Sequence, residues 1–176
     1  MTEIAVDFLQ GPDISSRLIG WFGAGEWSHC ASVLADGRYL DARSDVLDGV
    51  PAGVHIRHPA SERWLKKQRA TLQVSLTDYA SWEASLRAKL TTEYDRYAVL
   101  GFLEGESMHT AGRWICSALV INAVQHMCRD WAVGATRRLG YVPYPLPKAA
   151  HLIPPGEALS IVATAGFTIG PANGIG

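Results

Sequence analysis

The stretch that decides the fold is "EWSHCASVLADGRYLDAR", residues 26–43. Two runs of strand-forming residues, "SHCASVLA" and "RYLDA", flank Asp36-Gly37. An Asp-Gly pair between such runs predicts a β-hairpin, because a tight turn needs residues that accept positive φ. His29 does not suit a plain hairpin: it opens an otherwise apolar strand. A turn at Asp36-Gly37 pairs positions whose numbers sum to about 73. Asp41 then falls opposite Ser32, and His29 lies about one pair further along. Acid and imidazole would share one rim of the sheet. Asp41 would accept a hydrogen bond from the far ring nitrogen of His29, fix its tautomer and stabilise the imidazolium.

Outward from the hairpin, "IAVDFLQG" predicts a strand before it, and "GVHIRHP" and "ATLQVSL" predict strands after it. In the last of these, Leu72, Val74 and Leu76 alternate onto one face. "PDISSRLIGWFGAG" carries a helix start signal and closes on glycines, which predicts a short helix from about Ile14 to Phe22. The period changes at "TDYASWEASLRAKL". Thr77 or Asp78 can cap a helix there, and Tyr79, Trp82, Leu86 and Leu90 recur on one side. "WICSALVINAVQHM" is a second helix, apolar nearly all round and therefore central. Its main face is Ile115, Leu119, Ala123 and Met127, joined by Val120 and Val124. "YVPYPLPKAAHLIPP" is a proline-rich connector, and "GEALSIVATAGF" is one more short element, helix or strand. Early strands and later helices predict an α+β fold with an antiparallel sheet packed against helices. One domain over residues 1–165 and a flexible tail over 166–176 complete the expected organisation.

Composition narrows the function. The chain has 176 residues, 19% of them charged, with a formal net charge of −1. That leaves no broad basic field for nucleic acid. No apolar run reaches the roughly 18 residues of a membrane-spanning helix. The start "MTEIAVDFLQGPD" has acids and no basic segment, so no secretory signal is expected and synthesis is read as cytoplasmic. The three cysteines, Cys30, Cys116 and Cys128, are odd in number and widely spaced, which does not suit a disulfide framework. A reactive thiol remains open to the chain.

Cys116 falls at or near the start of the central helix, after Gly112, Arg113 and Trp114. Unpaired N–H groups and the helix dipole favour negative charge there, which favours the thiolate. The same groups can hold the oxyanion formed when a thiolate attacks a carbonyl. His29 has the chemistry of the base such a thiol needs, with Asp41 as its orienting acid. Each residue alone also suits a packing role: a buried cysteine behaves as a small apolar side chain, and Asp41 can simply end a strand. Only together do the three match a catalytic set.

These motifs carry a resemblance. "WSHCASVLADGRYLDAR" resembles the first motif of circularly permuted NlpC-type papain-like cysteine hydrolases, the YiiX-like group. "RWICSALV" is similar to their second motif, an aromatic-x-Cys-Ser-x-Leu-Val helix start. "YDRYAVLGF" and "PLPKAAHLIPPGEAL" resemble the Tyr-Asp segment and the proline-rich closing segment, so the likeness spans roughly residues 4–160. His29 precedes Cys116, the reverse of ordinary papain-like order, as in the permuted branch and in lecithin:retinol acyltransferase-like proteins. The resemblance implies a permuted papain-like α+β fold, with Cys116 as nucleophile at the N-terminus of a central buried helix. It makes His29 the base and Asp41 the third polar residue, and it calls for no cofactor or metal. Two departures stand out: Cys30 replaces the usual apolar residue after the histidine, and the third residue is more often Glu, His or Gln.

Further candidates line up around this set. Tyr94, Trp27, Trp114 and Ser117 are expected at a substrate cleft, with Trp21 as another rim residue. His55 and His58 form an H-x-x-H on a predicted strand, where i and i+3 face opposite ways, so shared metal binding is not expected. His126 and Cys128 would need at least two more ligands for zinc. The resemblance implies hydrolysis of an amide, with a cell-wall peptide as the commonest theme; the expected lack of a secretory signal fits delivery by phage or secretion system, or a cytoplasmic substrate. Acyl transfer or hydrolysis on lipid or thioester substrates is the alternative, and a non-catalytic binding module on the same fold is a third.

Overall fold

The computed structural model describes residues 1–13, 19–20, 25–61, 63–104, 108–134 and 149–174. The chain is α+β, with one antiparallel sheet packed against helices. Its strands are β1 (Thr2–Gln10), β2 (His29–Val33), β3 (Tyr39–Arg43), β4 (Gly53–Arg57), β5 (Lys66–Val74), β6 (Thr168–Ile169) and β7 (Asn173–Gly174). The sheet order is β4-β3-β2-β1-β5-β6, with β7 also on β5. The helices are α1 (Leu76–Arg87), α2 (Arg96–Glu104), α3 (Cys116–Gly134) and α4 (Pro155–Thr164). The helix expected over 14–22 lies largely outside the described residues, as does most of the proline-rich connector.

The principal core lies between the sheet and α1, α3 and α4. Ile4, Val6 and Phe8 of β1, Leu40 and Ala42 of β3, and Ala70, Leu72 and Val74 of β5 meet Trp82, Leu86, Leu119, Val120, Ala123, Val124, Met127, Ala158 and Val162 there. Burying each large aliphatic side chain contributes about 1.5–3 kcal/mol. The opposite sheet face carries a smaller cluster, Ala5, Leu9, Ala31, Val33 and Tyr39 under Trp64. It also buries Asp7, which accepts from the Tyr39 hydroxyl at 2.7 Å and from Arg69 at 2.6 and 2.8 Å. With both faces of β1 covered, the strand is buried from Ile4 to Leu9.

Three local expectations change, and one left open is decided. Leu76 does not continue the β5 face; it opens α1 and is exposed. The cap of α1 is Ser75, whose Oγ accepts from the Asp78 N–H at 3.1 Å, so the helix starts two residues earlier than a Thr77 cap and three earlier than an Asp78 cap would have allowed. "GEALSIVATAGF" resolves as a helix, α4, with Pro155 at its first turn. The segment after 165 is not a free tail. Phe167 is buried in the core, Thr168–Ile169 pair with Ala70 and Thr71, and Asn173–Gly174 pair with Lys66 and Lys67. The outer edge of β5 otherwise presents unpaired N–H and C=O groups, and these short strands cover it.

Candidate active site

The hairpin turns where Asp36-Gly37 predicts. Gly37 has φ 81°, its N–H donates to Leu34 O at 2.9 Å, and Arg38 O accepts from Leu34 N–H at 2.9 Å. The register is one residue tighter than expected. Ser32 pairs with Leu40 and Val33 with Tyr39, which carries Asp41 to the level of Ala31 and not Ser32. The difference is decisive, because a one-residue slip turns a side chain to the other face. Opposite Ser32, Asp41 would face away from His29. Opposite Ala31, it shares the face of His29.

His29 Nε2 and Asp41 Oδ2 lie 2.8 Å apart. The ring also stacks flat on Trp64, centroids 5.5 Å apart and planes 5° from parallel, and the Arg43 guanidinium covers the same indole. Asp41 Oδ1 accepts from Arg57 Nη1. Arg57 Nη2 is in turn held by Pro51 O at 2.8 Å and Gly53 O at 3.3 Å. All three charged groups are buried: His29 is 8% exposed, Asp41 1% and Arg57 3%. A buried carboxylate is costly unless paired, and here both oxygens are occupied. Burial would raise the Asp41 pKa, but the hydrogen bond and charge of His29 with the charges of Arg57 and Arg43 hold it below the usual value.

Cys116 is the first residue of α3. A second chain of contacts brings it to the hairpin. Gly53, at φ 118°, lets β4 approach Thr92 so closely that a Cβ would sit 2.4 Å from the Thr92 oxygen. Val54 N–H donates to Thr92 O at 2.9 Å, and Thr91 N–H to Val54 O at 2.8 Å. The next residues bridge Tyr94 to Trp114 in parallel, with Asp95 N–H on Trp114 O and Trp114 N–H on Glu93 O, both at 3.0 Å. This lashing fixes the residues before Cys116 against β4. At its other side, Ser117 Oγ donates to Ile153 O.

The electrostatics of the two groups agree. Burial acts against a charged His29, yet the Cys116 charge, the Asp41 hydrogen bond and a Cys116 hydrogen bond push its pKa up to about 10. Cys116 is pulled well below an ordinary thiol, first by a Cys30 side-chain hydrogen bond, then, against burial, by the charge and hydrogen bond of His29 and by the Cys30 backbone. The arrangement favours a thiolate–imidazolium pair. Because Nε2 serves Asp41, Nδ1 is the ring nitrogen left for another partner. Burial and the neighbouring Cys116 push the Tyr94 hydroxyl well above its ordinary value, so it stays a donor beside the thiolate.

A cleft of about 570 Å³ opens over His29, lined also by Asp13, Ser28, Arg43, Asp45, Arg63, Trp64 and Tyr94. Cys116 is 4% exposed and is not among the residues that line it. Of the expected rim residues, only Tyr94 is there. Trp27 is buried in the principal core, Ser117 is spent on Ile153, and Trp114 is half-buried with Lys89 over its ring. Trp21 lies outside the described residues. His55 and His58 do not join the set, and His126 is exposed on α3. Among the described residues no cluster of three or more metal-ligating side chains occurs, and no helix is long and apolar enough to cross a membrane. Sequence reasoning missed Arg57 and Trp64. The signal for Arg57 was present: two residues beyond His55, it shares the face of Asp41 once β4 is paired with β3.

Neither a protein-family model nor a curated protein sequence matches the chain.

Proposed function

We propose that the chain is a cysteine hydrolase of the permuted papain-like kind, cleaving an amide bond in a peptide. The observation that carries this reading is the buried set Cys116–His29–Asp41, in which the thiol is pulled down, the imidazole is pushed up and the acid holds the far ring nitrogen. The Cys116 thiolate attacks the carbonyl carbon. The oxyanion is met by N–H groups of the first turn of α3, which have no acceptor within the helix, with the Tyr94 hydroxyl as a further donor. His29 gives its proton to the leaving amine, and the acyl-enzyme forms. Water then enters, His29 takes its proton, and the acid product leaves with the thiolate restored.

The cleft favours a peptide over a lipid or thioester acyl chain. Arg43, Arg63, Asp13 and Asp45 put both signs of charge on its walls, which suits a short substrate with ionised ends or side chains. Pro12, Ile19, Leu47 and Trp64 add apolar wall between these charges, so it is the paired charges that support the peptide reading. A cell-wall peptide, reached after delivery to the envelope, fits this chemistry. The test is incubation of purified protein with peptidoglycan peptides and, separately, with acyl esters and thioesters. Release of new amino groups from the peptides, absent in Cys116→Ala, is expected. Turnover of the esters with none of the peptides would replace the amide reading with the acyl one. No turnover, together with an unreactive Cys116, would favour a binding module.

A further inference from the structure

The start of α2 presents a face that the hydrolytic cycle leaves unused. Ala98 is fully buried against Ile115 and Ala118, which turns Arg96, Tyr97 and Leu100 outward. Tyr97 is 52% exposed and Leu100 45%, an apolar pair at i and i+3 on the helix surface. With Arg96, Arg113, Glu93 and Tyr94 they wall a second cleft of about 500 Å³. Its charges are unequal. Arg113 is matched by Glu93 at 2.5 Å. Arg96 gives an Nη2 hydrogen bond to a neutral carbonyl, Ser44 O at 3.0 Å, and has no acid partner among the described residues. This cleft adjoins the one over His29. Tyr94 lines both. Ser44, which receives Arg96, is itself a wall of the His29 cleft, so one hydrogen bond straps the two together. The Tyr94–Trp114 bridge and the contacts of Thr91 and Thr92 with Val54 hold that junction in place.

We propose that the second cleft recognises a carboxylate on a peptide that also occupies the cleft over His29, with Arg96 binding the acid and Tyr97 and Leu100 packing an apolar neighbour. The proposal names the class of peptide and rests on the hydrolase reading for what then happens to it. A guanidinium grips a carboxylate through two parallel N–H groups, and Arg96 keeps donors for this beside its bond to Ser44. That bond also limits how far the side chain swings, which lowers the ordering cost of binding. The Tyr97 ring offers contact area at little conformational cost. A peptide is the class that sets a charge and an apolar group within a residue or two of each other, on an extended backbone that runs from one cleft into the next. An acyl ester or thioester has already consumed its carboxyl and brings no charge for Arg96. Two sources supply the carboxylate, an acidic side chain or a free C-terminus, and both meet Arg96 through the same two oxygens.

The probes are acetylated peptides of sequence Ala-Ala-Leu-X. X is Glu, Gln or Lys with an amidated end, or Ala with the end free or amidated. Binding is measured by isothermal titration calorimetry on the intact chain carrying Cys116→Ala, and cleavage by release of amino groups with the native protein. A carboxylate-bearing peptide should bind about 10–100-fold tighter than its uncharged match. The Glu–Gln comparison and the free–amidated comparison tell which source of carboxylate is used. Arg96→Gln should bring matched peptides to equal affinity. Arg96→Glu should turn the preference to the Lys peptide, a gain that misfolding cannot imitate. Tyr97→Ala should weaken all of the peptides alike and leave the acid preference in place. Equal affinity of matched peptides, an acid preference that survives Arg96→Gln, or no binding of any peptide would overturn the site; cleavage without acid preference would leave the hydrolase reading standing. An acid preference tied to Arg96 with no peptide cleaved would uphold the site and overturn the hydrolase reading.

Discussion

Two carboxylate–imidazole pairs sit among the described residues, nearly identical in length and different in everything around them. His29 and Asp41 are 2.8 Å apart; His109 Nδ1 and Asp95 Oδ2 are 2.7 Å apart. In the first pair the carboxylate's second oxygen goes to a buried guanidinium, and the charge of Cys116 acts on the ring. In the second, Asp95 also accepts the backbone N–H groups of Ala98 at 3.1 Å and Thr110 at 2.8 Å, which makes it the cap of α2 and the anchor of the loop before α3. His109 stacks on His151, centroids 4.3 Å apart, and its side chain is 34% exposed. The pair distance alone therefore carries no function. What separates the two is the third partner: a cysteine at a helix start in one case, a second imidazole in the other.

The largest effect should follow from the group that only one pair possesses. Cys116→Ala is expected to leave no turnover of any substrate the protein accepts, and in the native protein iodoacetamide should modify Cys116 ahead of Cys30 and Cys128 at neutral pH. Faster labelling of either other thiol, read by peptide mapping, would erase the distinction between the pairs.

Next in size come the two histidines. His29→Ala should slow turnover about 10²–10⁴-fold, the usual contribution of a positioned acid–base group. It should also cost about 1–3 kcal/mol of stability, since a hydrogen bond to buried Asp41 is lost while Arg57 still holds the acid. His109→Ala should leave the labelling rate of Cys116 unchanged. Equal damage from both, measured on rate and on thermal midpoint, would make His29 structural as well.

Asp41→Asn should do less than either loss at the reacting centre, because strand β2 and the Trp64 stack still hold the ring. Its signature is in the pH profile. The active pair exists between the depressed thiol and the imidazolium that titrates at about 10. Removing the acid's charge disfavours the imidazolium, so the alkaline limb should move down by about 1–3 pH units. An unmoved limb would take Asp41 out of the set.

The smallest effect on reactivity and a clear one on stability should come from Asp95→Asn. Weakening a charged cap costs about 2 kcal/mol. The sign with pH follows from its lowered folded pKa. The Asp95 contribution is complete above the ordinary value of 3.8 and is lost as pH falls through the folded value, so the asparagine protein should lose less stability on acidification. Thermal melts across pH 2–7, with Cys116 labelling in parallel, read both quantities. A fall in labelling with the melt unchanged would make Asp95 a partner of the site.

Much of the frame was legible in local pattern. The Asp36-Gly37 turn, the helical spacing of Trp82 and Leu86, and the apolar girth of Leu119, Val120, Ala123 and Val124 reflect short-range rules of period and φ that act within a few residues. The meeting of His29 with Asp41 was legible in outline and wrong in register, since composition does not distinguish a sum of 72 from about 73 and the side chains flip between them. Trp27 and Ser117 failed as cleft residues because adjacency along the chain to His29 and Cys116 says nothing of which way a neighbour points; one faces the core and the other is bound to Ile153. The tail was read as free because a two-residue strand has no period to detect, and only the open edge of β5 gives it a place.

By itself the sequence determined that strands precede helices, where the hairpin turns, and that a cysteine opens the central helix with a histidine and an acid on a distant hairpin. Those are properties of local sterics and hydrophobic period. Only the tertiary structure decided that Asp41 turns to the face of His29, that Arg57 completes the charge of Asp41, and that Cys30 and Cys116 share one buried core. Each of these depends on contacts between segments far apart in the chain. Their geometry is set by how β4, β2 and the start of α3 close on one another, and no window of sequence contains all three.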